Sequence, residues 1–132
     1  MNTLVFAVGR STGSGTRVTA LAETGFGVFQ NVVQVTVNSD ANNSVTGYTD
    51  VGNSGYSGGG AEAVALTKAA TVATGYAVGY LGVEDFNAVV AGFGKKLTYD
   101  GVDFSIANVQ NGNYTFWGYE HMYYTPGLRE PN

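Results

Sequence analysis

Seven consecutive residues, Arg10-Ser11-Thr12-Gly13-Ser14-Gly15-Thr16, bring together a guanidinium, four hydroxyls and two glycines. Guanidinium N–H groups match the paired oxygens of phosphate, sulfate or carboxylate, and each hydroxyl can donate one hydrogen bond. If the turn opens a helix, the first amides lack intrahelical partners and a partial positive charge collects there, so an anion can meet the backbone at the glycines. The set suits a tetrahedral oxyanion better than a sugar or a metal. A plainer role is equally open, in which Ser14 and Thr16 cap the helix and Arg10 lies on the surface. The turn is not a nucleotide P-loop, since no Gly-Lys-Ser/Thr follows it.

The flanking residues place this turn between a strand and a helix. Residues 3–8 form a continuous apolar run, which predicts a strand buried on both faces, ending at Gly9. Beyond the turn, Val18, Leu21 and Ala22 recur at helical spacing until Gly25. Residues 31–37 alternate with period two around Val33, Val35 and Val37, as a strand with one wet face does. A polar loop is expected at residues 39–44, and residues 47–60 are too rich in Gly, Ser and Asn for a core element. Residues 61–70 are helical by content, residues 76–81 read as a short strand, and Glu84 and Asp85 suit a helix starting after Gly82.

Asp100-Gly101 predicts a two-residue hairpin between residues 96–99 and 102–104, and residues 114–124 read as a long aromatic strand. Strands alternating with helices, plus one hairpin, predict an α/β domain: a single three-layer lobe with a mixed, mainly parallel sheet flanked by helices. It is expected to span residues 1–125, with 126–132 as a flexible tail. Ligands of such sheets sit at the carboxyl ends of strands, where the turn lies.

Composition narrows the function classes. The 132 residues are 44% hydrophobic and only 12% charged, which fits a folded chain with an uncharged-polar surface. A net charge of −4 with six scattered Lys and Arg residues argues against nucleic-acid binding. Without cysteine there is no disulfide, thiolate nucleophile or thiolate metal site. No apolar run approaches the roughly 20 residues of a membrane span, so no membrane insertion is expected. The opening residues lack a signal pattern, so either a signal has been removed or the chain is part of a longer reading frame.

Other candidates have weaker claims. His121 is the single histidine and, with no Ser-Asp pattern or second His nearby, reads as a strand residue; no enzyme and no cofactor are expected. Asp40, Asp50, Glu84, Asp85, Asp100 and Asp103 lack calcium-loop spacing and are assigned to loops and helix starts, with no metal. Among Tyr114, Phe116, Trp117, Tyr119, Tyr123 and Tyr124, about half should face the core and half the surface.

The segment R-S-T-G-S-G-T resembles the R-S-D-G-S-G-T turn of the phosphate-binding proteins that serve ABC importers, a type II periplasmic binding fold. V-G-N-S-G-Y-S-G-G-G-A-E-A-V resembles that family's G-N-x-G-V segment opening a helix. G-Y-A-V-G-Y-L-G-V-E-D-F resembles its G-A-I-G-Y-V strand, and N-G-N-Y-T-F-W-G-Y-E-H-M-Y-Y its N-G-x-Y-P-L strand. The resemblance covers about residues 6–124. It implies a second-lobe fold, periplasmic or secreted location, and phosphate held through Arg10, Ser14, Gly15 and Thr16, with Ser11, Thr12 and Gly13 completing the turn. Thr12 stands where the family has an aspartate, which leaves the choice between phosphate and sulfate open. The family's first lobe has no counterpart, so a homo-oligomer or a separate first lobe is the partner implied. The alternative is a structural or interaction protein that keeps the fold without binding a ligand and self-associates through the face left by the missing lobe.

Overall fold

The computed structural model describes residues 4–71 and 75–119. In chain order the elements are β1 (Val5–Ala7), α1 (Gly15–Glu23), β2 (Gln34–Ser39), β3 (Val45–Gly52), α2 (Gly59–Ala69), β4 (Tyr76–Val78), α3 (Val83–Ala91) and α4 (Ile106–Gln110). They form a small mixed α/β domain with two separate two-stranded sheets rather than the one mainly parallel sheet expected from the sequence. β1 pairs in parallel with β4, and β2 pairs antiparallel with β3.

The difference originates in residues 45–52, which have the composition of a polar loop. They form β3, because an antiparallel ladder needs backbone pairing and cross-strand contacts more than apolar side chains. Asn38 donates to the Thr49 hydroxyl at 2.8 Å, and Tyr48 stacks on Phe6 with ring centroids 3.9 Å apart. The hairpin loop is held by the Asp40 carboxylate, which accepts the amides of Asn42 and Ser44 at 2.9 and 2.8 Å. Asn43 takes the left-handed conformation (φ 64°) that Asn tolerates well.

Nor is β1 buried on both faces: Val5 is 65% exposed, and only Phe6 of the three residues is partly covered. Two short strands cannot carry a helix layer on each face, so the apolar run here signals an element without full cover. At Asp100-Gly101 both residues have positive φ, 49° and 79°, as the expected turn requires, but the flanking strands reduce to one bridge between Tyr99 and Val102.

Residues 106–110 form α4, which the sequence pattern does not announce, with the Ser105 hydroxyl accepting the Asn108 amide at 3.0 Å. Residues 114–119 have no regular structure, contrary to the expected long strand. Their rings pack instead, Phe116 lying 5.1 Å from Tyr99. Tyr114 and Phe116 are only partly buried and Trp117 and Tyr119 are exposed, so none of these four enters the core as half of the aromatic set was expected to. His121, Tyr123, Tyr124 and the tail at 126–132 lie outside the described residues.

The core centres on Val8, Ala63, Leu66 and Val89, with Val35, Val37, Tyr56, Ala77 and Leu81 packed around it. Ala63, Leu66 and Ala69 recur on one buried stripe of α2, where the two small alanines flank the larger Leu66. One further pairing positions the site. Past β1, Tyr56 donates to Gly9 O and Ser11 donates to Tyr56 O, both at 2.9 Å, so the turn is tied to the loop that leads into α2.

Candidate functional site

Residues 10–16 form a strand-to-helix turn, as the sequence predicts. Ser14 is the N-cap of α1; its hydroxyl accepts the Arg17 amide at 3.4 Å and its own amide donates to Ser11 O at 3.1 Å. Ser14 is therefore buried and occupied, so the capping role holds for it. By contrast Thr12, Gly13 and Gly15 are exposed, and Ser11 and Thr16 are partly exposed. Among the described residues, the Gly15 and Thr16 amides at the helix start have no hydrogen-bond acceptor.

Arg10 does not lie free on the surface. Its Nε donates to Tyr56 O at 3.2 Å, one terminal nitrogen to Ser57 O at 2.9 Å, and the other to the Thr16 hydroxyl at 3.5 Å. These bonds hold the guanidinium between the first turn of α1 and the loop entering α2. They use three of its five N–H groups and leave one on each terminal nitrogen. α2 begins after Gly58, which has no side chain to cap it, so Gly59, Gly60 and Ala61 present a second set of open amides. The turn and the second loop, far apart in the sequence, thus deliver two helix N-termini to one arginine.

The glycines of the turn are informative. Neither Gly13 nor Gly15 has positive φ, and a Cβ on either would meet nothing within 4 Å among the described residues. The fold accommodates side chains at both. Gly55 differs, because its Cβ would collide with the carbonyls of Gly9 and Arg10.

Three residues that the sequence pattern does not single out support this turn. Arg17, 3% exposed, donates from one nitrogen to Arg10 O and Asn53 O, each at 3.0 Å, and from the other to the Asn53 side-chain oxygen. Gln34, 2% exposed, donates to Arg10 O and Ser54 O. Glu62, on the inner face of α2, is fully buried, and neither carboxyl oxygen has a hydrogen-bond partner among the described residues. Burial pushes its carboxyl up to about 8; the nearby Tyr80 main-chain N–H and the Arg10 charge pull down, and Asp85 adds an upward push. Asp85, assigned to a helix start, does open α3, and its carboxylate also rests against Gly59 of α2. A signal for Arg17 and Glu62 does exist in the sequence. Each is a charge on an apolar stripe, Arg17 with Ala20 and Leu21, Glu62 with Leu66 and Ala69.

A cleft of about 430 Å³ beside Thr12 is walled by Val18, Leu21, Val28 and Phe29. Its charged residue, Arg17, is buried and bonded to Arg10 O and Asn53, whereas the Arg10 guanidinium is partly exposed. Among the described residues no cluster of three metal-ligating side chains occurs, and no helix is long and apolar enough to cross a membrane. Comparison with protein families, curated proteins and solved structures gives no match. The likeness to phosphate-binding proteins therefore rests on the quoted segments alone.

Proposed function

We propose that the protein binds a small tetrahedral oxyanion, phosphate first, without converting it chemically. The observation that carries this reading is the placement of Arg10, fixed by three hydrogen bonds between two helix starts and still holding a donor on each terminal nitrogen. The open amides of Gly15 and Thr16 supply further donors and partial positive charge, while at the start of α2 the Asp85 carboxylate rests against Gly59 and offsets part of the charge there. Exposed glycines at 13 and 15, which the fold itself does not demand, agree with close approach of a ligand to the backbone. The resemblance to the binding-protein lobe of ABC importers also points to Arg10, Gly15 and Thr16, though not to the α2 start, and to a carrier role outside the cytoplasm; Ser14, which it implies as well, is taken up as the helix cap.

Titrating phosphate and sulfate while following thermal unfolding tests the reading. Binding to the native state raises the midpoint with ligand concentration, and Arg10→Ala removes the effect. An unmoved midpoint in the wild-type protein at tens of millimolar of either anion overturns it.

One observation favours a second reading, a structural or interaction protein. Leu4 and Val5 at β1, Tyr76 at β4 and Phe29 after α1 are 58%, 65%, 67% and 97% exposed, whereas parallel strands ordinarily lie under cover. This reading expects a concentration-dependent mass in sedimentation together with no response to either anion.

A further inference from the structure

Glu62 is an unusual residue to find in the interior. It lies on the inner face of α2, and its carboxyl approaches the space beside Gly79 that Leu66 and the Val8 carbonyl also border, at the carboxyl ends of β1 and β4. Among the described residues neither oxygen of this fully buried carboxyl has a hydrogen-bond partner, and the pull of the nearby Tyr80 N–H does not offset the cost of carrying charge there. Its charged and titratable surroundings come from three elements: Arg10 from the turn, Tyr80 from the segment between β4 and α3, and Asp85 from α3. Arg17 of α1 acts on Tyr80, whose hydroxyl borders the space beside Gly9 together with the uncharged Gln34 of β2. Lys68 of α2 is engaged elsewhere, with Ser39.

We propose that Glu62 makes anion capture at Arg10 proton-dependent: the site takes an oxyanion while the buried carboxyl is neutral and releases it when the carboxyl ionises. This rests on the oxyanion reading above. Charge bookkeeping explains the sense of the effect. Arg10 and Asp85 cancel, and each helix start contributes roughly half a positive charge, so the site carries about +1 with Glu62 neutral and about zero with Glu62 ionised. The ligand need not touch Glu62, because the Glu62 and Arg10 charges already act on one another through a poorly screened interior. Burial moves the ionisation to about pH 8, and burial also pushes the Tyr80 hydroxyl above its ordinary range, clear of that window.

Sulfate is the appropriate probe, because it remains a dianion throughout the range where phosphate itself titrates. Calorimetric titration of the full chain with sulfate at pH 6.5, 8 and 9.5, at constant ionic strength, should show affinity falling about tenfold or more through pH 8. Glu62→Gln should hold one affinity across the range. Independently of the variant, wild-type titrations at pH 8 in two buffers of different ionisation enthalpy should reveal a fraction of a proton taken up per sulfate bound. Sulfate binding that is flat with pH and takes up no proton overturns the role of Glu62 and leaves the oxyanion reading standing. A pH dependence that persists in Glu62→Gln also overturns it, by assigning the effect to another group. Absence of sulfate binding at pH 6.5 overturns the role of Glu62, and absence of phosphate binding there as well overturns the oxyanion reading too.

Discussion

Arg17 and Asn53 are bound to each other twice, the arginine donating to both the main-chain and side-chain oxygens of the asparagine. The Asn53 side-chain oxygen also accepts the Val32 amide at 2.8 Å, so one residue joins α1, the loop after β3 and the entry to β2. Arg17 is buried and has no acidic partner among the described residues; its charge is solvated by carbonyl oxygens alone. Arg17→Met should therefore cost about 2–4 kcal/mol, since it strands the acceptors that Arg17 now serves. Arg17→Lys should recover only part of that, because an ammonium cannot reproduce the planar fork. Denaturant unfolding of Arg17→Met, Asn53→Ala and the double variant checks this. The double variant should cost clearly less than the two single losses added together.

Glu62 should set the pH dependence of stability. The carboxyl is held near 8 in the folded state against 4.5 in the open chain, so folding favours its protonated form. Below pH 4.5 both states are protonated and the native protein carries no penalty from this group. As pH rises from 4.5 towards 8 the unfolded chain ionises first and stability falls, by at most about 5 kcal/mol, levelling off above 8. Glu62→Gln should flatten that decline and be the more stable protein at pH 8.5. Urea midpoints at pH 5, 6.5, 8 and 9 distinguish the two curves, and a wild-type midpoint unchanged from pH 5 to 8 contradicts the buried neutral carboxyl.

Residues 10–16 are readable as a strand-to-helix turn because capping and glycine chemistry act within a few residues of chain. Ser14 is the cap, and Asp100-Gly101 is the left-handed turn its residue types require. The three longer helices are legible through equally local signals: apolar spacing in α1, helix-favouring content in α2 and the acidic first turn of α3. Sheet organisation is not, because partner choice depends on long-range pairing that composition does not encode. Residues 45–52 look like loop and become a strand only when residues 34–39 lie alongside them. The apolar run at residues 3–8 looks like a central strand, yet β1 is left largely uncovered. Arg10 stands out by its type, but its position between two helix starts follows from the bridge to Tyr56, which no local pattern announces.

Gly55 is required for that bridge. It stands where the loop before α2 passes over the end of β1, and a Cβ there would come within 2.7 Å of the Arg10 carbonyl oxygen. The obstacle is backbone on the far side, which cannot swing away as a side chain can. Gly55→Ala should cost about 1–3 kcal/mol and pull the loop off the turn, lowering any anion response through displacement of Arg10. Thermal unfolding and hydrogen exchange at the Ser11 and Tyr56 amides measure the two effects. Unchanged protection of both amides in this variant would contradict the close approach.

Gly13 and Gly15 should behave in the opposite way. Neither needs glycine for its backbone angles, and a Cβ at either would have no neighbour within 4 Å among the described residues, so alanine fits at both. At Gly15, the first residue of α1, alanine should even stabilise slightly, by up to about 1 kcal/mol, through reduced freedom of the unfolded chain. A methyl group at either position nevertheless stands between an incoming anion and the amides that should receive it. Gly13→Ala and Gly15→Ala are thus expected to keep the wild-type melting temperature or exceed it in anion-free buffer, while losing most of the rise produced by sulfate. Loss of stability together with an intact sulfate response would mean that the glycines serve the turn itself, and that the ligand does not approach along this face.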